Sequence, residues 1–190
     1  KLILLFLASL VTCGAMARED ALCTWTTITF DKSFGKWSAG LMSEYRHRIH
    51  EGVSGIDQYI ARPRVAYKAL PWLTLRYQMD FASSPSGFMV DFIPEVSLQH
   101  KVGDFAFSFR QRSMTMWKVE KKTVSTVLRS RAKVDYSIPG TPLSVHFAVE
   151  PYWCEFSKDK FTWFQKARWY AGFNIKLLDN LTLNPQYICQ

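Results

Sequence analysis

Arginine recurs at alternate positions in four places: Arg46/Arg48, Arg62/Arg64, Arg110/Arg112 and Arg129/Arg131. A guanidinium stays charged at any physiological pH and presents a planar fork of donors that matches carboxylates and phosphates. In an extended chain, residues two apart point to the same side. Each pair therefore sets two forks on one face. Arg76, Lys133, Lys166 and Arg168 fall on that face too, as do the carboxylates Glu44, Asp80, Glu95, Asp135 and Glu150. Two chemistries follow. Mutual arginine–carboxylate ladders could fill a narrow interior, or an excess of positive charge could select anions in a passage.

Catalysis finds little support. The histidines are His47, His50, His100 and His146, and none stands with a serine in a nucleophile–base arrangement. No nucleophile elbow, phosphate-binding loop or metal-ligand spacing appears, so neither an enzyme nor a cofactor is expected. Cys23, Cys154 and Cys189 are odd in number beyond the first seventeen residues and fit no metal site. The formal charge of +8 is spread singly and in pairs through hydrophobic alternation rather than along a tail or helix. That dispersal argues against nucleic-acid binding.

The elements that must carry these side chains read as strands. Trp37–Ile49 alternates Trp37, Ala39, Leu41, Ser43 and Tyr45 against Ser38, Gly40, Met42, Glu44, Arg46 and Arg48. Leu73–Phe81 and Leu143–Trp153 alternate in the same way. Similar patterns occupy 59–69, 88–100, 105–112, 124–136, 164–176 and 181–188, with a less regular segment near 22–31 that reads as a first strand or as an inserted plug covering 18–31. About ten strands result, most of them roughly 8–13 residues long, against the ~9–11 a tilted bilayer-spanning strand needs and the ~5–6 typical of soluble sheets.

Short connections are expected at Lys32–Lys36, Leu70–Trp72, Val102–Asp104, Ile138–Pro142 and Leu177–Asn180. Longer polar ones are expected at His50–Gln58, Ala82–Gly87, Lys118–Thr123 and Ser157–Thr162, so that short turns and long loops alternate as in outer-membrane barrels. The apolar faces of the regular strands carry no Lys, Arg, Asp or Glu, as a bilayer would enforce. Aromatic residues gather near strand ends, where interface belts lie. The competing arrangement is a soluble barrel or sandwich, whose core would be unusually aromatic. Pro63, Pro94, Pro151 and Pro185 fall inside strands, where proline removes a ladder donor; bulges or strand ends are expected there.

Lys1, the apolar run Leu2–Val11 and Ala15-Met16-Ala17 form a secretory signal with a small-residue cleavage site, too short to span a membrane. Residues 1–17 are expected to be removed, leaving 18–190 as one domain.

The order of motifs resembles a family of small Bacteroidetes outer-membrane barrels, domain of unknown function 2490. The shared features are the Trp25 and Trp37 lead-in, Glu44-Tyr45-Arg46, the strand Arg62-Pro63-Arg64-Val65-Ala66-Tyr67, Arg110-Gln111-Arg112, Arg129-Ser130-Arg131, and Glu150 followed by Trp153 and Phe156. The resemblance implies an antiparallel transmembrane β-barrel in a bacterial outer membrane, without a known activity. Its partners would be outer-membrane lipid, the barrel assembly machinery and, if the interior is open, small anionic solutes. Such barrels usually end on an aromatic residue, whereas this sequence stops at Gln190; one or two further strands, about twelve in all, are expected. The functional expectation is a narrow or weakly anion-selective pore. The alternative is a non-conducting structural or surface-interaction barrel with a filled interior.

Overall fold

The computed structural model describes residues 22–50, 53–158, 160–178 and 181–189. The proposed signal segment, residues 18–21 and the loop positions 51–52 lie outside the described residues. The rest is nearly all antiparallel strand: β1 (Leu22–Phe34), β2 (Trp37–His50), β3 (Val53–Leu70), β4 (Leu73–Ser84), β5 (Gly87–Val102), β6 (Phe105–Lys118), β7 (Thr123–Ser137), β8 (Leu143–Ser157), β9 (Lys160–Leu178), β10 (Leu181–Leu183) and β11 (Gln186–Cys189). Each strand pairs with the next in sequence as far as β10, and β11 pairs β9. The expected all-β barrel architecture is what the chain adopts, as one continuous meander.

The sheet curls. Arg168 of β9 lies over the ring of Trp25 in β1, 5.1 Å from its centroid, although seven strands separate them in the sheet. Alternation then gives each strand an inner and an outer row. On β2 the inner Met42 and Glu44 are buried while the outer Leu41 and Tyr45 are exposed. On β8 the inner His146, Ala148 and Glu150 are buried against exposed Leu143, Val145 and Phe147. Phe30, Leu75, Phe107, Trp117, Trp169 and Phe173 continue the exposed apolar outside.

Of the two readings of the first segment, the strand is the one the chain adopts: residues 22–31 form most of β1, registered along its length with β2 from Leu22↔Ile49 to Phe34↔Trp37. The long polar loops are corrected: among the described residues they are largely absent. The residues expected to form them continue the hairpin ladders, so that Gly55, Ile56 and Gln58 pair with β2 and Ser83 and Ser84 with β5. Polar strand ends read as loops in sequence, but backbone hydrogen bonding continues the ladder whatever the side chains prefer. The turns left between strands are short, with Gly35, Gly103 and Gly140 supplying positive φ.

The prolines are accommodated by gaps. The β3–β4 register skips from Ala61↔Phe81 to Arg64↔Gln78, passing over Pro63. The β5–β6 register skips from Phe92↔Thr115 to Glu95↔Arg112, passing over Pro94, and the β7–β8 register from Arg129↔Tyr152 to Ala132↔Val149, passing over Pro151. Each of these prolines is paired on its other side. Pro185 sits in the break between β10 and β11. A residue without an N–H is tolerated where one ladder is interrupted.

Candidate interior ion-pair network

The inner rows bring together most of the charged residues picked out by spacing. At one level Arg62 forks onto both carboxylate oxygens of Asp80. On the next strand, Glu95 of β5 receives Arg112 at 2.5 Å and Arg76 at 2.9 Å, with Arg110 at 3.7 Å. Glu150 on β8 receives Arg110 from β6 at 2.7 Å, Arg129 at 3.0 Å and the Tyr170 hydroxyl at 2.6 Å. Arg110 thus spans the two carboxylates. Glu95 and Glu150 are 3% and 1% exposed, and Asp80 is 1% exposed. The middle of the interior is packed.

Toward the two ends the pairs are more open. Arg46 meets Glu44 at 2.5 Å and Gln58 at 2.8 Å, while Arg48 reaches Asp57 at 3.2 Å. Lys133 pairs with its strand neighbour Asp135 at 2.6 Å. Arg64 forks onto Asp31 of β1, two strands away. The bridge passes directly over Gly40, which stands opposite both residues in the register. A Cβ at Gly40 would run into Asp31 Oδ1 and the Phe30 carbonyl. Glycine here is required by close approach, not by φ.

Aromatic rings take the remaining guanidinium faces. Arg131 lies 4.1 Å from the ring centroid of Tyr170, and Arg129 4.4 Å from that of Tyr152. Arg168 stacks at 4.9 Å on Tyr152 and donates to its hydroxyl at 2.5 Å. Trp25 holds Arg46 at 4.3 Å. Such cation–π contacts gain strength where water is excluded.

Strand alternation sets the site residues picked out by spacing along the inner rows, with Arg48 at an exposed end, in the company of carboxylates that spacing did not flag. Asp31 lay in the irregular first segment and Asp57 in a stretch read as loop. Asp91 stands directly opposite Asp80 and is buried, with its Oδ1 unbonded among the described residues; its parity in 88–100 was the available signal. His146 is inner and buried, while His47 and His100 are on the outer side. Among the described residues no group of histidine, cysteine or carboxylate side chains could hold a metal ion, and Cys154 and Cys189 are free thiols.

A curled antiparallel meander with an apolar exterior and a charged interior is a porin-like architecture. The NanC porin in a rhombohedral crystal form superposes with a TM-score of 0.57 at 14% identity, covering 89% of this chain and 84% of that one. No curated protein matches the sequence. The family model described as protein of unknown function (DUF2490) matches residues 22–190, and the chain belongs to that family.

Proposed function

We propose that this chain is a bacterial outer-membrane β-barrel whose interior is closed at mid-height by its own ion pairs, serving as a structural or surface-interaction protein. The observation that carries the interior reading is the burial of Asp80, Glu95 and Glu150, with Arg112 buried beside them and Arg62 and Arg129 nearly so. A water-filled passage would leave these groups hydrated. The membrane reading rests on the outside. A soluble protein rarely exposes an apolar surface larger than a few hundred Å², yet here Leu, Val, Phe and Trp side chains line the outer rows of strand after strand. Outer-membrane lipid would cover them, and the assembly machinery would insert the chain. Processing after Ala17 is part of the same reading.

Fractionation tests it. The protein is expected in the outer-membrane fraction, migrating faster unboiled than boiled; a soluble periplasmic product of unchanged mobility would contradict it. A second reading, a narrow anion-selective passage, is favoured by one observation: Glu95 serves three arginines and Glu150 two. The central cluster thus keeps excess positive charge. In that case reversal potentials in a salt gradient would show anion preference, weakened by Arg110→Glu with Arg129→Glu.

A further inference from the structure

The apolar outer row breaks on β6 and β7. Gln111, Ser113 and Thr115 stand outward on β6, and Thr126 and Ser130 outward on β7. The register sets Gln111 opposite Ser130 and Thr115 opposite Thr126. The Ser130 hydroxyl donates to Gln111 Oε1, and the two threonine hydroxyls meet at 3.0 Å. Gln111 is midway along β6 between the outward rings of Phe105 and Trp117, and Ser130 is midway on β7 between Val124 and Tyr136. If those ends mark the membrane interfaces, the amide lies at mid-depth.

Gln111 Oε1 is engaged, but no described residue accepts from its Nε2. Hydrocarbon offers no acceptor, and an unmet amide there is costly. Immediately beside it, toward the Trp72 end, runs an apolar groove of about 580 Å³ walled by Leu98, Phe107, Phe109 and Phe147, with Ala132 as its floor. A lipid chain could fill the groove but could not satisfy the amide.

We propose that this outer face of β6 and β7 is the contact between two copies of the chain. Gln111 is at once donor and acceptor, and copies inserted in the same orientation hold it at the same depth. A twofold axis along the membrane normal therefore brings two identical amides together, each Nε2 donating to the other's Oε1 through the lone pair that Ser130 leaves. The groove seats a projecting side chain of the second copy. The inference rests on the outer face being lipid-facing.

The test uses the whole protein with Cys13, Cys23, Cys154 and Cys189 replaced by serine. Gln111→Cys is compared in membranes under mild oxidation with Tyr77→Cys, which lies at similar depth on the outer face of β4. Disulfide-linked dimers several-fold more abundant for Gln111→Cys are expected. Mass by light scattering in mild detergent should give a dimer for the unaltered protein and a monomer for Gln111→Leu. No cross-link above the Tyr77→Cys level, a cross-link to a different protein, or an unaltered monomer would overturn the proposal. If the cysteine variants fail to fold, judged by loss of heat-modifiable migration, the light-scattering pair decides alone. A chain absent from the membrane fraction overturns the membrane reading instead, so the two failures are distinguishable.

Discussion

Glu150, itself 1% exposed, compensates two guanidinium groups and accepts from the Tyr170 hydroxyl. Removing one member of a buried ion pair strands the other, at about 3–5 kcal/mol. Glu150→Leu is therefore expected to cost about that much in urea titration from lipid vesicles, and a second change, Arg129→Leu, to restore part of it. Gly40→Ala acts through sterics: its Cβ would displace Asp31 from Arg64 and crowd the Phe30 carbonyl, so that the β1–β2 ladder must shift, at a loss of about 1–3 kcal/mol in the same titration. At the far end Glu120, in the turn after β6, accepts from the Phe88 N–H with both oxygens, at 2.8 and 2.9 Å. That hydrogen bond holds its carboxyl below the ordinary glutamate value. The sign is fixed. The latch is complete above that ordinary value and lost as pH falls through the lowered one. Hydrogen exchange at the Phe88 amide, corrected for its intrinsic pH dependence, should accelerate on that acid side in the unaltered protein but not in Glu120→Gln.

The strands show which instructions the sequence carries openly. Parity was legible because a row that faces apolar surroundings cannot hold a charge, so Arg46 and Leu41 declare their sides one residue at a time. Phe147→Arg should therefore cost ~2–4 kcal/mol, and Thr74→Arg, on the inner face and partly open, much less; equal costs would mean the faces are reversed. Gln78, which parity alone marks as a tolerant inner position, is 2% exposed and would not accept an arginine freely. Burial within the interior depends on which rows meet across the curl. No local pattern holds that information. The loops were misread for a related reason. Gly55, Ser83 and Ser84 look like loop residues, yet the hairpin ladder carries them. The prolines were legible as interruptions, but the rule that each sits at a gap in only one of its two ladders emerges from the register.

At the scale of the whole molecule, the curl converts ordinary alternation into two environments. Exposed rings face outward in every strand pair, and the arginines are gathered inward, where carboxylates and the rings of Trp25, Tyr152 and Tyr170 hold them. Arginine suits this better than lysine because one fork can hold a carboxylate edge-on while its face lies on a ring. The Arg-x-Arg spacing is then a way of packing charged side chains into an interior beside Ile60, Ile93 and Val127. In the proposed reading the same packing closes it.

Current across planar bilayers containing the purified protein, with insertion verified by heat-modifiable migration, tests the closed interior most directly. No steady conductance is expected in the unaltered protein at any salt concentration. Reproducible stepwise conductance would contradict it; anion-selective steps would establish the passage in place of the filled barrel, and cation-selective steps would contradict both readings of the arginines.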